Sequence, residues 1–212
     1  MSLVWGVDKK MIAFGIDLSL TATGLVVLDG DKLLYSGCFK PKNKSGAERL
    51  IEIDREISMT MVGYDPEIIC LEGYSFGSRG RALFQIGELG GVVRVALHDW
   101  GKHWMEITPS QVKKFATGKG TSKKDLILQQ VYKKWGQEFK TSDEADAFVL
   151  AKIGTILLGY EEKLTKQQVE VMKNLGKVCH KRFPPQKATT FWEECKEKLT
   201  KQQKEVMEAI KC

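Results

Sequence analysis

The spacing of apolar positions changes period several times along the chain. Met11, Ile12, Ala13, Phe14 and Ile16 form a nearly continuous apolar run, which predicts a buried strand over 10–19. Thr23 to Leu28 predicts a second strand, Asp29-Gly30-Asp31 a tight turn, and Lys32 to Phe39 a third strand. Strands joined this closely imply an antiparallel meander. After a loop over Pro41–Ser45 the period becomes helical, with Leu50, Ile53, Ile57 and Met61 on one face. Ser45-Gly46-Ala47-Glu48 precedes it as a capping box. Glu67 to Glu72, with Ile68, Ile69, Cys70 and Leu71 inside, reads as a short strand too apolar for a sheet edge.

Gly73 to Gly80 reads as a glycine, serine and aromatic loop. Ala82 to Trp100 predicts a long helix containing Gly87, Gly90 and Gly91. Glycine inside a helix costs ~1 kcal/mol relative to alanine, so these predict close packing against another backbone, either the sheet or a second subunit. His103 to Ile107 is a fifth strand. Thr108-Pro109-Ser110-Gln111 opens a helix, Gly118 to Ser122 breaks it, and Lys123 to Trp135 is another. Thr141-Ser142-Asp143-Glu144 caps a last helix running to about Leu158. The order βββ-α-β-α-β-ααα predicts an α/β domain over 1–160, a mixed five-stranded sheet flanked by helices.

Residues 161–212 predict a helical tail with an internal repeat. Glu162 to Met172 recurs as Glu197 to Met207 with ten of 11 positions identical. Each copy carries a Thr-x-x-Gln cap. Two copies are too few for a solenoid, which leaves a helical appendage or an arm for DNA or a partner.

With 212 residues and 42% hydrophobic composition, the chain can build a core and is not a disordered polymer. No apolar run approaches the ~18 residues of a membrane span. The first ten residues lack the charge-first pattern of a secretory signal, so a cytosolic location is expected. Five cysteines without a C-x-x-C pair fit reduced thiols; Cys179, His180, Cys195 and Cys212 match no common zinc spacing. Net charge is +6, and residues 113–140 hold eight lysines against Asp125 and Glu138. Such a block reads either as a solvated helix face or as a site for an anionic partner, most simply nucleic acid.

Four carboxylates carry the candidate chemistry. Asp17 ends the first strand and Glu72 the fourth. Asp143 and Asp146, three residues apart, share a face at a helix start. Singly, each has an ordinary explanation: Asp143, for example, suits a helix N-terminus by ~0.3–1 kcal/mol. Gathered together they would repel unless cations neutralise them. Mg²⁺ takes carboxylate oxygens and keeps waters. Two such ions stabilise both oxygens of an in-line phosphoryl displacement.

Phe14-Gly15-Ile16-Asp17 with Thr23-Gly24, Cys70-Leu71-Glu72, Ile107 to Lys113, Gly118 to Lys124 and Ser142-Asp143-Glu144-Ala145-Asp146-Ala147 together resemble the RuvC-type Holliday junction resolvases. These are nucleases of the ribonuclease H-like fold, and the chain looks closest to their phage-type branch. The resemblance spans about 150 residues. It implies a homodimeric Mg²⁺-dependent endonuclease that resolves four-way DNA junctions by paired nicks, with two Mg²⁺ (or Mn²⁺) per site. Asp17, Glu72, Asp143 and Asp146 would be the metal-binding catalytic acids. Lys113 and Lys124 match lysines near the scissile phosphate or the DNA backbone, and Lys124 is placed with the catalytic set. Arg79, Arg81, Lys119 and Lys123 join them as phosphate contacts. The family stacks an aromatic residue at the junction centre; Tyr74 and Phe76 flank its position, and either fits. Leu18-Ser19 stands where the family often has Pro-Gly, and nothing in 161–212 matches the family. Other readings are a ribonuclease H-like nuclease with another branched or RNA-containing substrate, and a non-catalytic junction-binding protein. An actin-like ATP-binding domain would need a second similar half.

Overall fold

The structure, a computed structural model, describes residues 10–43, 45–74 and 81–182, with side chains at all of these except 81, 82, 124 and 176–182. Phe76, Arg79, Cys195, Cys212 and the second repeat copy lie outside the described residues, as do the side chains of Arg81, Lys124, Cys179 and His180.

The elements run β1 (Ile12–Asp17), β2 (Thr23–Asp29), β3 (Lys32–Phe39), α1 (Gly46–Tyr64), β4 (Ile68–Glu72), α2 (Arg81–Asp99), β5 (Trp104–Ile107), α3 (Pro109–Thr117), α4 (Lys124–Trp135), α5 (Ser142–Leu157) and α6 (Lys166–Arg182). They form one mixed five-stranded sheet in the order β3-β2-β1-β4-β5. β1 runs antiparallel to β2 and parallel to β4, and β4 runs parallel to β5. The meander and the crossovers are as the sequence pattern predicts.

β1 is apolar at nearly every position because helices cover both faces of the sheet. Ile12, Phe14 and Ile16 point to one layer with Ile53, Ile57 and Met61 of α1 and Leu89, Val93 and Leu97 of α2. The opposite layer gathers Val26, Leu28 and Cys70 with Phe115, Ile127, Val131 and the length of α5. Ahead of Asp17, the residues of β1 on that second face are Ala13 and Gly15, and their small size admits α5 at backbone distance. A Cβ on Gly15 would stand 2.0 Å from the Ala147 carbonyl oxygen and 2.5 Å from the Ala151 nitrogen.

The capping boxes at Thr108/Gln111 and Thr141/Glu144 both form. The one expected at Ser45 does not: the Ser45 side chain makes no cap hydrogen bond. Glu48 Oε2 instead lies 2.8 Å from the place a Cβ would take on Gly46, over the left-handed turn that starts α1.

The first repeat copy becomes α6, capped by Thr165 and Gln168 as its motif predicts. It shares the core of the α/β unit. Val171 and Leu175 join the cluster around Phe115 and Val112, and Lys114 Nζ donates to Glu170 Oε1 at 2.7 Å. The linker is tied down as well. Lys152, 3% exposed, pairs with Glu162 at 2.8 Å, and Trp135 Nε1 donates to the same carboxylate at 2.5 Å.

Candidate active site

Pairing places the acids of the strands. β1 and β4 match in parallel register through Ile16 and Leu71. Asp17 and Glu72 are the next residue on each strand, so they end neighbouring strands at the same edge, about 4.8 Å apart along the hydrogen-bonding direction. Side chains alternate across a sheet. Ile16 and Leu71 face α1 and α2, so Asp17 and Glu72 face the side covered by α5.

The first turn of α5 comes to the same place through Gly24. This glycine is the β2 partner of Asp17. A Cβ on it would lie 2.1 Å from the Asp143 carbonyl oxygen and 2.5 Å from its carbon. Only glycine lets the helix start settle there, with Asp143 beside Asp17's strand pair and Asp146 one turn along. Asp17 and Asp146 are each 4% exposed. Asp143 also neighbours Cys38, which pairs with Gly24 from β3. Burial pushes the Cys38 thiol pKa up, a bond to Thr141 opposes this, and the charges of Asp143 and Glu144 add to the rise.

Three elements therefore bring the four predicted acids to one end of the sheet. Among the described residues, no three His, Cys, Asp or Glu side chains stand as a group that could hold a metal ion. The donors are oxygen-only, which suits Mg²⁺. That ion is usually held by one or two carboxylates, waters and substrate phosphates rather than by an all-protein cage. The fit is therefore one of donor chemistry, and not of a preformed cage.

The lysine block divides. Lys114 is paired to Glu170, and Lys134 donates to the Ala116 carbonyl, with burial lowering its pKa ahead of an opposing effect from Glu162. Lys119 and Lys123 are exposed, and Lys113 is half-buried on α3. The turn between α3 and α4 is tied by Thr117 Oγ1 and Ser122 Oγ, 2.7 Å apart, both bonded to the Lys119 carbonyl. The N-terminus of α3 abuts the strand end that carries Glu72, where the Gly73 N–H donates to the Ile107 carbonyl at 2.8 Å.

The α2 glycines have separate explanations. Gly90 is filled by the Tyr74 hydroxyl and Arg94, whereas a Cβ on Gly87 or Gly91 would meet nothing within 4 Å. Within this chain the close approach is to side chains, and it occurs at Gly90; Gly87 and Gly91 leave room beside α2. Tyr74 also engages Arg94 and, through it, Glu106. Sequence reading missed both residues: one arginine on a helix and one glutamate in a strand carry no periodic signal.

The family model described as crossover junction endodeoxyribonuclease RuvC matches residues 13–153. A crossover junction endodeoxyribonuclease RuvC of Rickettsia typhi is 31% identical over 157 residues, covering 71% of this chain and all of the relative. The enzyme of that name from Synechococcus sp. strain WH7803 is 29% identical over 151 residues, 68% of this chain and 97% of the relative. Among solved structures, Thermus thermophilus RuvC superposes with a TM-score of 0.60 at 24% identity, covering 70% of this chain and 97% of that one. The same protein in complex with a Holliday junction substrate gives 0.59, covering 71% and 97%.

Proposed function

The chain belongs to the RuvC family of crossover junction endodeoxyribonucleases, and from that premise we propose how its residues act on a four-way DNA junction. It is a Holliday junction resolvase, a nuclease that cuts branched DNA. The phage-type branch is our reading within the family and rests on the motifs quoted from the sequence. The observation that carries the mechanism is the meeting of two parallel strand ends, bearing Asp17 and Glu72, with the first turn of α5.

Asp17, Glu72, Asp143 and Asp146 would hold two Mg²⁺ ions, with Mn²⁺ as a substitute. Such a pair supplies charge stabilisation to the attacking and leaving oxygens of an in-line hydrolysis. The carboxylates would hold the ions in place, since anions cannot bind the scissile phosphate themselves. Asp17 and Asp146 are buried beside α5, where a lower local dielectric strengthens each charge interaction. Lys124, at the start of α4, would neutralise phosphate charge near the cut. Lys113, Lys119 and Lys123, with Arg79 and Arg81, would bind flanking phosphates, a contribution independent of sequence and sensitive to salt.

A junction is nearly two-fold symmetric, so a two-fold dimer can offer one site to each of two opposed strands. We assign the dimer contact to α2. Leu83, Phe84, Val92 and Val95 are exposed on it, Phe84 by 73%, and Ile51 of α1 continues the patch. Apolar clusters of this kind mark protein contacts. No helix among the described residues is long and apolar enough to cross a membrane; a cytosolic location belongs to this reading.

Asp146→Asn tests the assignment. It keeps the shape and removes one ligand charge, so cleavage of a four-way junction should fall at least a hundredfold while binding holds or tightens. More than about a tenth of the wild-type rate would remove Asp146 from the site.

A further inference from the structure

Tyr74 stands two residues after Glu72, and its surroundings are specific. The Arg94 guanidinium lies over its ring, 4.5 Å from the centroid. Arg94 Nη1 donates to the phenolic oxygen at 2.7 Å, and the hydroxyl donates to the Gly87 carbonyl at 3.3 Å. Arg94 Nε donates to Glu106 Oε1 at 2.7 Å. Glu106 pairs across β4–β5 with Leu71, the residue before Glu72. One guanidinium therefore grips the chain on both sides of the acid, through β5 before it and through Tyr74 after it.

The helix is built around this grip. A Cβ on Gly90 would stand 2.3 Å from the Tyr74 hydroxyl oxygen and 2.4 Å from Arg94 Nη1. A planar fork that bonds in two directions and stacks on a ring is something lysine cannot reproduce.

We propose that Arg94 is a positioning residue that fixes the strand end carrying Glu72 through Tyr74 and Glu106, and that Tyr74 belongs to this clasp and not to the contact at the junction centre. The proposal rests on the reading of Glu72 as a metal-binding acid. The clasp adds to the pairing of Glu72 with Ile107 and to the Gly73 N–H bond that follows it, at the last residue of β4. Displacement of a reacting group by ~1 Å can cost a hundredfold in rate.

The test uses the full chain and the variants Tyr74→Phe, Tyr74→Ala, Arg94→Gln and Arg94→Lys, with the double variant Tyr74→Phe/Arg94→Gln. Three quantities are read: junction affinity in EDTA, single-turnover cleavage with Mg²⁺, and fluorescence of 2-aminopurine placed at the junction centre. Tyr74→Phe and Arg94→Gln should each slow cleavage about tenfold or more at an affinity within threefold of wild type. The double variant should be little worse than the slower single one, because both break one unit. Arg94→Lys should not restore the rate. The 2-aminopurine response on binding should survive even in Tyr74→Ala. Tyr74→Phe keeps the ring and its packing, so it decides the matter if Arg94→Gln fails to fold. Wild-type rates in Tyr74→Phe and Arg94→Lys would overturn the proposal. So would loss of the 2-aminopurine response in Tyr74→Ala together with full activity in Tyr74→Phe. Asp146→Asn runs alongside: if it cleaves normally, the metal-site reading has failed; if it is dead while the clasp variants are normal, only the clasp has.

Discussion

Gly24→Ala should separate the position of α5 from the stability it provides. The added Cβ would lie 2.1 Å from the Asp143 carbonyl oxygen and 3.1 Å from the Glu144 nitrogen. These are backbone atoms, so no rotamer change relieves the clash. Restoring ordinary contact near 3.4 Å needs the first turn of α5 to retreat by about 1.3 Å. Overpacking of this kind costs ~1–3 kcal/mol, or ~2–12 °C in Tm for a domain of this size. The same retreat carries Asp143 away from Asp17, and a shift of ~1 Å can cost a hundredfold in rate. Gly154→Ala is the matched control. Its Cβ would meet Ala13 Cβ at 2.8 Å on the same helix–sheet interface. It lies 11 residues from Asp143, about 16 Å along the helix. Single-turnover cleavage of a four-way junction, measured well below both melting temperatures, should fall about a hundredfold in Gly24→Ala and less than threefold in Gly154→Ala. Equal losses in the two variants, or a normal rate in Gly24→Ala, would refute the argument that Gly24 sets the acid on α5.

Lys124→Ala should weaken junction binding and reduce the slope of log K against log salt by ~0.9, the value of one phosphate contact; an unchanged slope takes Lys124 off the DNA path. Burial raises the pKa of Asp54, which lines the groove between α1 and α2. The folded chain thus holds that proton more tightly than the unfolded one, and stability falls as pH climbs above the ordinary aspartate range near ~3.9. Asp54→Asn should therefore stabilise in urea melts at pH 7, and the gain should vanish toward pH 3; a gain independent of pH contradicts this. Leu175→Ala, at a site 2% exposed, should cost ~2–5 kcal/mol, and a chain ending at 160 should melt lower than one ending at 182. Equal melting of those two chains would show that α6 adds nothing to the fold. If α2 carries the proposed dimer contact, Val95→Glu should sediment as a monomer and lose paired nicking; a dimeric variant would move the contact off α2.

Much of the sheet was legible because its strands announce themselves. A run such as Ile12 to Ile16 is apolar at each step only when both faces are covered, and the turn at Asp29-Gly30-Asp31 fixes the meander. Asp17 and Glu72 were legible as carboxylates placed where apolar strands end. Capping motifs were reliable where the side chain was free to reach back, at Thr108 and Thr141. At Ser45 the helix begins on a left-handed glycine and the motif goes unused. The docking of α6 was hidden because its buried positions, Gln168, Val171 and Leu175, are sparse in a sequence otherwise charged and repetitive. The clasp on Tyr74 was hidden because it joins a loop, a helix and a strand through single residues far apart in the chain. Of the α2 glycines, Gly90 finds its reason within the chain, in Tyr74 and Arg94.

The proposed mechanism makes this chain a metal-dependent junction nuclease through acids at the end of the sheet, two of them, Asp17 and Asp146, buried. The most direct measurement is cleavage by the wild-type protein of a four-way junction and of linear duplex of the same sequences, each with Mg²⁺ and with EDTA. Paired nicks are expected in the junction with Mg²⁺ alone, with the linear duplex left intact. Cleavage that persists in EDTA, or equal cutting of the linear duplex, would contradict it.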